Sequence, residues 1–235
     1  MGEVTRPVTD SADIRAIHTQ LLQPAFPANE LVSASWLAGA VGSGEASMLV
    51  VEDDAGPLAT AVTERLGATG SVLLSYFATR ADMRGKGVGS RLFAQMLEAV
   101  QRQQDPRLVV AEVERPDRHT GSAEHGDPTA RLRFYGRHGA LALDLPYFQP
   151  PISDGDAAVQ GMLLLALWVD PALLETDAGD ASLAGPGLVA DAIDAILGTS
   201  PSHESSQEAA LRAASRVEHV RLYAVEDYQQ IVTSR

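Results

Sequence analysis

The stretch Ser75-Tyr76-Phe77-Ala78-Thr79-Arg80-Ala81-Asp82-Met83-Arg84-Gly85-Lys86-Gly87-Val88-Gly89-Ser90 changes period in its middle. Its first half extends a β-branched and apolar run, Val72 to Thr79, that reads as a strand. From Gly87 to Gln104 the apolar residues Val88, Leu92, Met96, Leu97 and Val100 fall on one helical stripe. Between them lies a tight loop with three glycines. Glycine lets a backbone approach a ligand closely, and a helix N-terminus offers unpaired N–H groups and the positive end of a dipole. Arg80, Arg84, Lys86 and Arg91 add positive charge to a chain of formal charge −13, in which Lys86 is the only lysine. Strand, glycine turn and helix together make a cradle for a phosphate group.

Two other glycine loops do not fit. A Walker loop needs Gly-x-x-x-x-Gly-Lys-Ser/Thr, but position 80 is arginine and Lys86 precedes Gly87. A dinucleotide fingerprint needs a third glycine where Ser90 stands, within a parallel βαβ repeat that the flanking pattern does not supply.

Outward from the turn, Ser47–Glu52, Leu58–Leu66 and Val72–Thr79 read as an antiparallel meander. Glu3–Val8 is an edge strand. Asp10 or Ser11 caps a helix carrying Ile14, Ile17, Leu21 and Leu22, and a second helix is expected from Asn29 to the Gly42-Ser43-Gly44 cluster. Beyond the glycine turn, Leu108–Val113 is a strand, Arg115–Asp127 a polar loop, Thr129–His138 a helix, and Ala140–Leu145 and Gly161–Val169 are strands. The expected order is β-α-α-β-β-β-α-β-α-β-β. After Asp170 the composition shifts. Glu175–Gly187 reads as an acidic loop, and two helices follow, one on Val189, Ile193, Ile196 and Leu197, the other opening with the capping box Ser205-Ser206-Gln207-Glu208 and carrying Leu211, Ala214 and Val217.

Composition excludes whole classes of chemistry. The 45% apolar content over 235 residues builds a genuine core. The chain has no cysteine, so disulfides, thiolate zinc sites and cysteine nucleophiles are ruled out. The acidic balance opposes a nucleic-acid partner and suits a cationic one. The longest apolar run, Met162–Val169, is far short of the roughly 20 residues of a membrane span. A soluble, cytoplasmic protein is expected.

Arg84-x-x-Gly87-x-Gly89 between strand and helix resembles motif A of the GNAT N-acyltransferases. Two further segments agree: Ser75-Tyr76-Phe77-Ala78-Thr79 is similar to the family's fourth strand, whose backbone pairs with the pantetheine arm, and Phe134-Tyr135-x-x-x-Gly139 to motif B. The resemblance covers about residues 3–170, and residues 171–235 are expected to form a linker and helical extension packed on that domain or on a partner subunit. It implies an α/β (α+β) GNAT fold, with a mixed, mostly antiparallel central sheet of about six to seven strands flanked by helices. The implied function is transfer of the acetyl group of acetyl-CoA to a primary amine, small-molecule or peptide, by direct attack and without a metal, in a monomer or homodimer. Phe77, Ala78, Thr79, Arg84, Gly85, Lys86, Gly87, Val88, Gly89 and Ser90 are the implied cofactor contacts.

Tyr135 matches the family's general acid. Many relatives carry glutamate where this chain has Ser75, so the base is expected from Glu112 or Glu114, which share one face of the next strand. Pro128 replaces a common asparagine, which removes a cofactor contact. His119, Glu124, His125 and Asp127 have no metal-ligand spacing, and their loop is a candidate for acceptor contact. Phe26, Trp36 and the segment Pro146–Pro151 are candidates to line the acceptor cleft. The alternative is a CoA-binding sensor that has lost turnover.

Overall fold

The structure is a computed structural model and describes residues 2–122, 126–152, 157–177, 180–185, 187–198 and 205–231. One mixed sheet of ten strands runs through it, in the order β1-β2-β3-β4-β5-β7-β6-β10-β9-β8. Up to residue 170 the elements follow the expected order. They are β1 (Val4–Pro7), α1 (Ser11–Ile17), α2 (Ala34–Ser43), β2 (Ala46–Asp53), β3 (Gly56–Leu66), β4 (Ser71–Thr79), α3 (Val88–Gln104), β5 (Leu108–Glu114), α4 (Pro128–Arg137), β6 (Leu141–Leu143) and β7 (Met162–Val169).

Asp10 caps α1 by accepting from the amides of Ala12 and Asp13. The helix loosens into a π turn at His18–Leu22, so Ile14, Ile17, Leu21 and Leu22 all stay buried on one face. The second helix starts later than Asn29. Ala28–Glu30 makes only a 3-10 turn, and Ser33 is the cap, accepting from the Trp36 amide at 3.1 Å. The Tyr76 hydroxyl accepts from the Val32 amide at 3.0 Å, which holds that segment extended against β4.

The tail departs most from expectation. Glu175–Gly187, read as a loop, contains the paired strands β8 (Leu174–Asp177) and β9 (Asp180–Ala184), and β10 (His219–Ala224) joins β9 to β6. The two expected helices are present as α5 (Leu188–Leu197) and α6 (Ser206–Ser215), with the Ser205–Glu208 capping box formed. Val217 lies beyond α6 and is exposed. Acidic and small residues score poorly as strand formers, and pairing with β10 overrides that preference.

Three cores divide the faces. Helices α3 and α4 cover one face, with Phe93, Met96, Tyr135 and Leu165 in a single cluster. On the opposite face, α1 and α2 cover the N-terminal strands, while α5 and α6 cover the later ones. One feature of the sheet positions the site. β4 and β5 are its one parallel pair among the described residues, a single βαβ unit through α3 that the sequence pattern did not suggest. They pair only at Ser71–Leu108, Val72–Val109 and Leu73–Val110 and then separate.

Candidate functional site

Beyond Leu73, β4 loses its partner on the β5 side, and a strand without a partner presents a row of free N–H and C=O groups. The gap continues into a cavity of about 790 Å³ lined by Phe77, Ala78, Thr79, Arg84, Gly85, Gly87, Gly89, Ser90, Phe134 and Tyr135, among others. Of the ten expected cofactor contacts, Lys86 and Val88 lie outside this lining. The Lys86 ammonium points to the Met83 sulfur at 3.7 Å, and Val88 is fully buried in the core.

The turn itself has the geometry an anion requires. Gly87 precedes α3 with φ of 84°, a left-handed conformation that disfavours side chains, and no side chain caps the helix. A Cβ at Gly89 would stand 3.2 Å from the Thr79 hydroxyl, so glycine lets the helix end close against β4. The first turn of a 17-residue helix, free of acidic residues, therefore directs its unpaired amides at the cavity. The surrounding positive charge is smaller than the sequence suggests. Arg80 pairs with Asp82 at 2.7 Å, and Arg91 pairs with Glu3.

Tyr135 stands on the α3/α4 face of the gap, 5.8 Å from the Phe93 ring and 5.3 Å from Phe134, between centroids. These rings, with Phe77 and His138, fix α4 against the start of α3. Burial pushes the Tyr135 hydroxyl up to about 12, only partly opposed by Arg131. Among the described residues that hydroxyl has no hydrogen-bond partner, and it stays protonated at neutral pH.

On the opposite face lies a second cavity of about 400 Å³, which shares Phe26, Ser75, Glu112, Gly126 and Arg131 with the first. Four carboxylates line it, from Glu30, Glu64, Glu112 and Glu114. The structure separates the two glutamates of β5. Glu114 is engaged by Arg131 at 3.2 Å and lies 3.5 Å from His119. Glu112 lines both cavities and takes hydrogen bonds from neutral donors, Tyr147 at 2.5 Å and Gln149 at 3.3 Å. Burial pushes its carboxyl up to about 7, reinforced by Glu64 and Glu30 and opposed by those two donors.

Ser75 is the extra residue of a β-bulge, since Leu74 opposes Thr63 and Tyr76 opposes Val62. Its hydroxyl donates to Glu64 of β3, so a carboxylate stands beside the position where the family often carries glutamate. Glu64 and Glu30 escaped the sequence reading because a lone glutamate in a strand or turn looks like a solvated charge. Of the aromatic and loop candidates, Phe26, Trp36, Gln149, Pro150 and Pro151 line the smaller cavity, as do Thr120, Ser122 and Gly126 from the polar loop. Asp127 caps α4, and His119 bonds the Gln160 carbonyl at 2.7 Å. Glu124 and His125 lie outside the described residues. No cluster able to hold a metal occurs among those described.

Residues 44–139 match the model of the acetyltransferase (GNAT) domain. That segment carries a GNAT-type acetyltransferase domain. Solved structures agree with this GNAT fold. A protein assigned to the GNAT acetyltransferases of Bacteroides thetaiotaomicron is 25% identical with a TM-score of 0.53, over 69% of this chain and 85% of its own. One assigned as an acetyltransferase from Salmonella typhimurium, solved with acetyl-CoA, is 16% identical with a TM-score of 0.53, over 76% and 99%. A ribosomal-protein-alanine N-acetyltransferase from Brucella melitensis is 16% identical with a TM-score of 0.50, over 69% and 98%. No curated protein matches this sequence.

Proposed function

We propose that the chain transfers the acetyl group of acetyl-CoA to a primary amine of a cationic acceptor. The carrying observation is the gap between β4 and β5, which places Tyr135 on one face of the sheet and Glu112 on the other, both lining one cavity. Acetyl-CoA fits that cavity because an unpaired strand edge suits an extended amide arm and the turn at Gly85–Ser90 suits a pyrophosphate. When bound, it supplies an activated acetyl thioester.

The chain's own residues do the rest. Arg84 and the amides of the α3 N-terminus hold the anionic end, and Phe77, Ala78 and Thr79 of β4 align the arm. Glu112 takes a proton from the incoming ammonium, directly or through water, because a carboxyl titrating near neutrality is a competent base there. Tyr135 keeps its proton at neutral pH and gives it to the departing sulfur. Glu30 and Glu64 favour a positively charged acceptor over a neutral or acidic one. Residues 1–170 form the acyltransferase unit in this reading, and 171–235 an extension that walls the acceptor side through Ala195 and Ile196.

Thiol release from acetyl-CoA, measured with putrescine, spermidine, lysine methyl ester, ethanolamine and a lysine peptide, tests the reading. Tyr135→Phe and Glu112→Gln are each expected to lower kcat about 10- to 1,000-fold with CoA affinity retained. Tight CoA binding without turnover on any amine would instead indicate a binding protein.

A further inference from the structure

Tyr147 is almost fully buried, at 1% exposure, and its hydroxyl ends on Glu112. A phenylalanine would fill the same space without bringing a polar atom into the core. The placement of that atom is specific: Tyr147 donates to Oε1 of Glu112 and Gln149 Nε2 to Oε2, so each carboxylate oxygen has its own donor. Both donors come from the single segment after β6. That segment is fixed at both ends, by the Tyr147 amide on the Leu145 carbonyl at 2.8 Å and by paired bonds between Gln149 and Val159 at 3.0 and 2.9 Å. Two donors on a rigid segment hold the carboxylate in one plane and leave its remaining lone pairs toward the gap.

We propose that Tyr147 and Gln149 are positioning residues that hold the Glu112 carboxylate in the orientation required of the base. This rests on the reading of Glu112 as that base. The other titratable or charged groups lining the cleft with Glu112 are Glu64 from β3, Tyr76 from β4, Glu114 from its own strand, Glu30 from the 3-10 turn and Arg131 from α4. Glu64 and Glu30 repel its charged form, whereas Tyr147 and Gln149 stabilise it, so the donors oppose the acidic lining. Burial and the neighbouring Glu112 raise the Tyr147 hydroxyl well above its ordinary value, which keeps it a donor across the working range. Losing either donor disfavours the carboxylate and raises the pH at which Glu112 loses its proton.

The test compares wild type, Tyr147→Phe, Gln149→Leu and Glu112→Gln in the full chain. One measurement is the pH profile of kcat with the best amine of the panel named above, read at the limb that Glu112→Gln abolishes. The other is a carbon-13 titration of glutamate-labelled protein, where the Glu112 resonance is the one missing from Glu112→Gln. Tyr147→Phe is expected to move both the limb and the resonance up by about one pH unit, lowering turnover about tenfold on the acid side of the limb, and to lower the alkaline plateau as well because the carboxylate loses its fixed orientation, with CoA affinity unchanged. Gln149→Leu, at the longer bond, moves them less in the same direction.

A limb that Glu112→Gln abolishes but neither donor variant moves would overturn the positioning role alone. A resonance that moves while Glu112→Gln keeps the wild-type profile would overturn Glu112 as base, and the positioning role with it. Should no amine turn over, the resonance still decides whether the donors hold the carboxylate: an unmoved resonance in both variants overturns the proposal.

Discussion

Glu112 is where the sequence motif and the final chemistry separate. Its carboxyl titrates near 7 in the fold and near 4.5 in an unfolded chain, so the native state binds the extra proton. A group raised in this way weighs on stability as pH climbs through that window, because folding must then bury a charge. Glu112→Gln is therefore expected to raise stability by about 1–2 kcal/mol at pH 8 relative to wild type, after allowing for the solvent that reaches the cleft, and to change little at pH 4.5. Thermal melts of both proteins at the two pH values check it; equal differences at both would refute the buried charge. Glu112 and Glu114 share a face by simple alternation, which the sequence shows. Their different partners are not readable there, because Arg131, Tyr147 and Gln149 arrive from other elements.

At the scale of elements, α4 is held from behind by the tail. The Gly136 backbone packs so tightly on Val225 that an added Cβ would lie 2.3 Å from its Cγ2. Gly136→Ala is expected to destabilise by about 1–3 kcal/mol in chemical denaturation, with part of the loss restored by Val225→Ala in the double variant. If the two effects simply add, the contact does not couple the elements. Gly87 makes a separate point. Alanine there would be forced into a left-handed conformation, costing about 1–2 kcal/mol. A weakened CoA affinity in calorimetry is the expected outcome. Periodicity located α1, α3, α4 and the meander because their apolar stripes are regular. It misplaced the start of α2, where a tertiary bond from Tyr76 holds the preceding chain extended.

Across the whole molecule, the tail completes the sheet. Strands β10, β9 and β8 extend it beyond β6, and α5 is tied to the turn between β3 and β4 through Asp191, which accepts from the amides of Ala68 and Thr69 at 2.9 and 3.0 Å and from the Thr69 hydroxyl at 2.8 Å. In the His219–Ala224 run, Val220 and Leu222 alternate with polar neighbours, a strand signal legible in principle. The β8–β9 hairpin carries no such signal, because its pairing depends on β10. The same extension brings Ile196 to the smaller cavity, the proposed acceptor site. Ile196→Trp is expected to raise the KM for the amine about tenfold with CoA affinity unchanged, measured by thiol release and calorimetry. A change confined to CoA affinity would place that wall elsewhere.

The fold and the donor side are written in local patterns, a strand, a glycine turn and an amphipathic helix in sequence. The proposed acceptor side is assembled from residues as distant as Glu30, Glu64, Gln149 and Ile196, which no local pattern joins. Both sides meet in the gap between β4 and β5. A crystal structure with bound CoA, read for the position of the cofactor sulfur, addresses that meeting point directly. The sulfur is expected in the gap, within reach of the Tyr135 hydroxyl and facing the cavity that holds Glu112. A sulfur lodged outside the gap, with Tyr135 and Glu112 both remote from it, would contradict the assignment of acid and base.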